Sequence, residues 1–204
     1  MLSADEIVSL HDQLNRDWHG EPVNLDENRA GDWLDLVTRQ HRANFDLWHI
    51  EDEARAPGAT EAELAQVKRR VDQANQRRND LAEELDRTLL AWLEAHAPPD
   101  PDAPLHSESP GLIIDRLSIL ALKIYHTGEE ADRLDAPAGH GQRNRDRLAI
   151  LTEQRADLAK CLDALWRETL AGTRRFKLYR QMKMYNDPSL NPAVYRKLVK
   201  ESGR

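Results

Sequence analysis

The sequence has little of several features on which common folds and compartments depend. It contains one cysteine, Cys161, in 204 residues, so no disulfide can form within the chain and the cytoplasm is the expected location. No run of 18 apolar residues occurs, so we expect no membrane span. Residues 1–6 lack the basic start and apolar run of a signal peptide. Cys161 lies beside a leucine stripe and is predicted to be a small buried hydrophobe.

Several catalytic and binding motifs are also missing. The chain has no Gly-x-Ser-x-Gly nucleophile turn, no glycine-rich phosphate loop, and neither a Glu-x-x-His nor a His-Glu-x-x-His metal motif. No window shows the alternation of apolar and polar residues that marks a β-strand. The sequence therefore argues against the common nucleophilic and nucleotide-binding sites and indicates an all-α protein.

What the sequence does contain is charge, unevenly distributed. Charged residues make up 32% of the chain and hydrophobic residues 40%, as in a soluble helical protein, and the net charge is -7. Residues 173–204 hold nine basic and two acidic residues, a net +7, which leaves -14 for residues 1–172. We expect this basic arm either to pack on or near the acidic body or to meet an anionic partner. The acidic balance makes nucleic acid an unexpected partner.

Caps, breakers and apolar spacing predict five long helices. Ser3 and Thr60 begin capping-box patterns, and Gly20 ends the first helix. The other helices are expected at about 26–55, 60–96, 112–126 and 142–171, with Gly128 opening a polar loop. The helix at 112–126 is apolar almost all round and should be the most buried.

These helices predict one bundle with an appendage. Residues 1–172 form the bundle, with repeat-like halves at about 26–96 and 110–172 and a proline-rich linker at 97–104. The predicted fold class is all-α, a four-helix core of two duplicated antiparallel hairpins with an additional N-terminal helix. The basic arm at 173–204 is expected to end in a short helix capped by Asn191.

The chain echoes itself at a spacing of 77 residues. Residues 78–86 and 155–163 are identical at six of nine positions, and residues 48–54 align with residues 125–131 at the same spacing without a gap. Because 77 residues are a whole number of heptads, the leucine matches follow from helix phase alone, and chance similarity stays an alternative to duplication. The informative matches are polar: Arg78 with Arg155, Asp80 with Asp157, Asp86 with Asp163, His49 with His126, and Glu53 with Glu130.

The copied arginines are the first candidates for a site. Arg78 and Arg155 fall on the inward stripes of their helices, where a guanidinium needs partners for its five donors. Structural ion pairs with aspartates would supply them. Alternatively, the arginines converge on a phosphate or carboxylate. The predicted ligand-binding residues are Arg78, Arg116, Arg155 and Asp115, with Lys177, Arg180, Lys183 and Asn186 of the basic arm.

The copied histidines are the second candidates. His49 with Glu53 and His126 with Glu130 are each four residues apart, so each pair lies on one face of a helix. Two helices that each supply a histidine and a carboxylate could hold a metal ion. The predicted metal ligands are His49, Glu53, His126 and Glu130, and a structural or solvated role is the alternative. No further cofactor is expected.

Several stretches of the chain resemble a bacterial family known as domain of unknown function 4254. They are residues 44–55, 75–81, 115–120, 123–126 and 179–188. The resemblance implies a soluble bacterial helical protein. It also implies a link to surface-polysaccharide metabolism, since some members are encoded near polysaccharide and glycosyltransferase genes, but it implies no reaction.

Three functions stay open at this point, and whether the chain is an enzyme is undecided. The preferred one is a binding or accessory module for a small anionic ligand, phosphorylated or nucleotide-sugar-like, or for a glycosyltransferase-pathway protein. The first alternative is a metal-dependent hydrolase of a phosphorylated small molecule. The second is a structural oligomerising protein, such as a homodimer formed through the amphipathic helices.

Overall fold

The computed structural model describes residues 3–20, 33–55, 57–182 and 189–192. Five α-helices account for most of them: α1 Ala4–His19, α2 Trp33–Glu53, α3 Glu61–His96, α4 Pro110–Asp132 and α5 His140–Leu170. Within these ranges the structure has no strand, and an isolated bridge joins Leu105 to Arg175. The all-α prediction is confirmed. None of the described helices combines the length and apolarity that crossing a membrane requires.

The helices begin where the sequence places caps. The Ser3 hydroxyl accepts a hydrogen bond from the backbone N–H of Glu6 at the start of α1. At the start of α3, Thr60 and Glu63 form a full capping box, in which each side chain accepts from the backbone N–H of the other residue. These bonds satisfy amide groups that have no partner within the helix. Pro110 begins α4, at a position where its missing N–H costs nothing.

The five helices pack as a bundle around α4. Helices α2 and α3 pack as one hairpin and α4 and α5 as another, and α4 also contacts α1, α2 and α3. Accordingly α4 is deeply buried, with Ile113, Ile114, Leu117 and Leu122 almost inaccessible to solvent. Each such side chain contributes about 1.5–3 kcal/mol to folding through burial.

Two sequence expectations about local structure are wrong. Helix α4 does not end before Gly128 but continues to Asp132, and pairs one turn apart, such as Arg133 with Glu130, support its last turns. Cys161 is exposed. The buried stripe of α5 passes through Leu158, Leu162 and Leu165, so that Cys161 lies beside it on the solvent side.

Two of the copied polar pairs make equivalent contacts in the two halves. Arg78 pairs with an aspartate of α4, and Arg155 pairs with Asp12 of α1. Asp86 accepts a hydrogen bond from a backbone N–H in the first turn of α4, and Asp163 accepts one from the first residue of α1. Helix α1 therefore contacts α5 through the same kinds of polar pairs as those through which α4 contacts α3. These contacts hold α1 against the core.

The described part of the basic arm lies along the bundle. Arg175 exchanges backbone hydrogen bonds with Pro104 and His106 of the linker, and Phe176 is buried. Farther along, the backbone N–H of Gln181 donates to the Glu83 carboxylate of α3 at 2.9 Å. The short helix expected after Asn191 falls largely outside the described residues.

Candidate metal centre

Three histidines from three different helices meet at one end of the bundle. His19 is the last residue of α1, His49 lies in the last turns of α2, and His126 lies in the second half of α4. One ligand nitrogen from each lies within 4.8 Å of the other two. A tetrahedral zinc ion with Zn–N bonds of about 2.0–2.1 Å needs nitrogens about 3.4 Å apart. Movements on the order of 1 Å would therefore complete the site, which we call the histidine triad.

Hydrogen bonds fix the proton of each triad ring on Nδ1. The Nδ1 of His19 lies 2.7 Å from the carbonyl oxygen of Asn15, and that of His49 lies 2.9 Å from the carbonyl oxygen of Phe45. The Nδ1 of His126 lies 2.9 Å from the Glu129 carboxylate. Because these oxygens only accept, each Nδ1 must donate, and each neutral ring then carries its lone pair on Nε2. Metal-bound histidines are held in the same way by carbonyl and carboxylate oxygens.

Two nitrogens of the triad lack a partner among the residues that the structure describes. The Nε2 atoms of His19 and His126 are buried and make no hydrogen bond with any of these residues. A buried polar atom without a partner costs about 1–3 kcal/mol. Burial lowers the pKa of His19, and the neighbouring His126 and His49 lower it further, which keeps the ring in the neutral form that binds metals. A cation between the rings would supply the missing partner.

Aromatic side chains hold the triad rings in place. Tyr125 stacks on His19 with ring centroids 4.2 Å apart, and Trp48 stacks on His126 at 4.8 Å. Trp48 also lines a pocket of about 340 Å³ between α2, α3 and α4. The triad and this pocket are therefore neighbours that share one indole ring.

A second histidine pair lies deeper between the same helices. His11 of α1 stacks on His41 of α2 with ring centroids 4.4 Å apart, and both are fully buried. Burial lowers the pKa of His41 to about 3 and that of His11 well below its usual range. His41 Nε2 lies 3.0 Å from Asn15 Oδ1, and its Nδ1 lies 2.7 Å from Ser118 Oγ. Both nitrogens of His41 are thus engaged, and His41 has no lone pair free for a metal ion.

With the geometry in place, comparison with known proteins identifies a family. Residues 34–178 match the model of a family described as protein of unknown function, DUF4254. The chain belongs to the DUF4254 family. The matched segment contains His49 and His126 and does not reach α1, so His19 lies outside it. No curated protein and no solved structure matches the chain.

The metal ligands predicted from the sequence are only partly brought together in this DUF4254 chain. His49 and His126 meet, but the Glu53 carboxylate binds Arg70 at 2.5 and 3.0 Å. Glu130 pairs with Arg133 at 2.9 Å and with His140 at 2.7 Å. The third side chain at the site is His19 and not one of the two predicted carboxylates. It lies outside the 77-residue echo, so a search of copied residues could not find it.

The predicted anion-binding arginines are each paired with a carboxylate. Arg78 binds Asp115 through Nε at 2.8 Å and a terminal nitrogen at 2.5 Å. Arg155 binds a carboxylate of α1 at 2.6 Å, and Arg116 binds Glu108 at 2.7 Å. Since the three arginines have different partners on different elements, they form separate ion pairs, as the structural interpretation expected.

The remaining predicted ligand-binding residues lie on the basic arm. Lys177 and Arg180 are exposed beyond the buried Phe176. Lys183 and Asn186 lie outside the described residues. A role of the arm in binding an anion stays a prediction.

Proposed function

We propose that this DUF4254 protein binds a zinc-type transition-metal ion through the Nε2 atoms of His19, His49 and His126. The observations that support the proposal are that all three Nδ1 atoms are hydrogen-bonded to oxygens and that one ligand nitrogen of each ring lies within 4.8 Å of the other two. Imidazole is a preferred ligand of zinc, copper, iron and nickel. Three neutral ligands leave the ion its full charge of +2.

The chemistry that suits this site is hydrolysis by a metal-bound water. A zinc ion with three protein ligands keeps a fourth position for water and lowers its pKa to about 7. The triad rings are half-buried and 22% of the His126 side chain is exposed, so the site lies close to solvent, while the Nε2 atoms of His19 and His126 are themselves buried. We therefore favour a metal-dependent hydrolase of an ester or phosphoester. The arginines expected to hold an anion are already paired, so the binding-module alternative lacks an equivalent observation.

Zinc affinity tests the proposal directly. Metal-free protein is titrated with zinc in competition with a chromophoric chelator, for the wild type and for His19→Ala, His49→Ala and His126→Ala. Loss of a ligand should weaken binding by more than the roughly 10–100-fold that loss of a supporting hydrogen bond costs. His96→Ala is the matched control, because His96 also bonds a backbone carbonyl through Nδ1 but stands outside the triad. Equal zinc affinity in all five proteins would contradict the proposal.

The same variants separate binding from catalysis. Zinc-loaded wild type should hydrolyse p-nitrophenyl acetate or bis(p-nitrophenyl) phosphate faster than His126→Ala does. If zinc binds tightly and neither probe is hydrolysed above the variant's rate, the ion is structural and the hydrolase assignment is wrong.

A further inference from the structure

A buried chain of hydrogen bonds runs from an ion pair on α4 towards the triad. Asp115 is held by Arg78, by Gln40 Nε2 at 2.6 Å and by Asn44 Nδ2 at 2.9 Å. The same Asn44 amide lies 3.0 Å from Ser118 Oγ. Ser118 then contacts His41, and the chain crosses from α4 to α2 and on to α1.

The direction of every proton in the later part of this chain follows from its neighbours. His41 Nε2 faces Asn15 Oδ1, which only accepts, so that nitrogen carries the proton. The buried ring is neutral, so its Nδ1 carries the lone pair and accepts from the Ser118 hydroxyl. The Ser118 oxygen in turn accepts from the Asn44 amide. The chain therefore has one consistent direction, from Asn44 through Ser118 and His41 to Asn15.

Asn15 connects this chain to the triad. Its side chain accepts from His41, and its backbone carbonyl accepts from the Nδ1 of His19 at 2.7 Å. Asn15 and His19 are the first and last residues of the final turn of α1. The hydrogen bond between the Asn15 side chain and His41 thus holds the last turn of α1 against α2. In that turn, the Asn15 carbonyl accepts the Nδ1 proton of His19.

We propose that Asn15 and His41 are positioning residues for the metal ligand His19, with Ser118 orienting His41 and none of the three touching the ion. This inference rests on the proposed metal site. It assigns the buried network a role in aiming the His19 Nε2 lone pair at the triad.

The composition of the network argues against a role in stability alone. Among the described residues, two of its buried atoms have no hydrogen-bond partner, Asn15 Nδ2 and Gln40 Oε1. Each such atom costs about 1–3 kcal/mol, and apolar side chains of similar volume often pack as stably as buried polar networks. A network that keeps unpaired atoms in the interior is explained by the geometry that it imposes.

The test compares zinc affinity with thermal stability in four variants. Asn15→Leu and His41→Phe remove the direct links, Ser118→Ala removes the donor to His41, and Ser118→Thr restores a hydroxyl. Ser109→Ala is the matched control, because Ser109 is an equally buried serine that donates to Asp86 at the start of α4. We expect zinc dissociation constants to rise about 10–100-fold in Asn15→Leu and His41→Phe and less in Ser118→Ala. Ser118→Thr should recover affinity, and Ser109→Ala should lower the melting temperature without changing affinity.

The outcomes distinguish this inference from the proposed function. If the wild type binds zinc through the triad and all network variants bind it equally well, the residues are structural and the inference is overturned while the metal site stands. If affinity falls in step with melting temperature, Ser109→Ala included, the effect is general destabilisation and the inference is again overturned. If the wild type binds no zinc, the proposed function fails and the inference fails with it.

Discussion

Two groups of histidines lie between the same helices and differ in how their ring nitrogens are used. In the buried pair, His41 has both nitrogens hydrogen-bonded and stacks on His11, so no lone pair of His41 is left for a ligand. In the triad, the Nδ1 of each ring is hydrogen-bonded to an oxygen, and one ligand nitrogen of each ring lies within 4.8 Å of the other two. This difference in the use of the ring nitrogens is why we propose a metal site at the triad and not at the buried pair.

The largest effect that separates the two groups is the acid sensitivity of the buried pair. Both residues have folded-state pKa values below those of the unfolded chain, about 3 for His41. Their contribution to stability is therefore present above about pH 6.5 and is lost as the pH falls, for His41 towards 3. The free energy of unfolding should fall by about 1.4 kcal/mol per pH unit for His41, and His11 should add to the fall in the same direction. Urea unfolding of metal-free protein between pH 7.5 and 4.5 measures this slope.

The carboxylate of Asp86 has the opposite pH dependence, so the slope of the wild type alone does not isolate the histidines. Burial raises the pKa of Asp86 to about 6, so its contribution is present at low pH and is lost as the pH rises through 6. The decisive quantity is therefore the change in slope between variants. His41→Phe should remove one histidine's share of the slope, and His96→Ala should leave the slope unchanged. An unaltered slope in His41→Phe would show that the buried pair does not titrate on unfolding.

A smaller effect concerns His11 alone. Both of its ring nitrogens are buried and make no hydrogen bond to any residue that the structure describes, so burial of this polar ring is not offset by a bond to them. His11→Phe keeps a ring to stack on His41 and should stabilise the protein at pH 7 by about 1–3 kcal/mol, measured by urea unfolding. The same change at His126 should instead abolish tight zinc binding. Destabilisation by His11→Phe would contradict this prediction and would mean that the buried imidazole of His11 contributes to the free energy of unfolding.

The fold could be predicted largely from the sequence because its signals are local. Capping at Ser3 and Thr60, the break at Gly20 and the proline-rich linker define the helices, and apolar stripes define their inner faces. The end of α4 could not be predicted in the same way. Glycine usually weakens a helix, yet α4 continues past Gly128 to Asp132, supported by pairs of side chains one turn apart.

The candidate site could be predicted only in part because it depends on how helices meet. The echo pointed to His49 and His126, which do come together. It also pointed to Glu53 and Glu130, whose carboxylates are held by arginines: Arg70 comes from another helix, and Arg133 lies three residues from Glu130. His19 comes from a helix that the echo does not include. Its place in the site follows from the docking of α1 between α2 and α4, which is a property of the packed bundle.

Zinc K-edge X-ray absorption of the zinc-loaded protein tests the central claim most directly, because it counts the ligands and measures their distances. We expect three imidazole nitrogens at about 2.0–2.1 Å from the zinc ion, with one further oxygen ligand. His19→Ala should show one imidazole fewer, and His96→Ala should reproduce the wild-type spectrum. A coordination shell without imidazole, or one unchanged in His19→Ala, would contradict the assignment of the histidine triad as a metal centre.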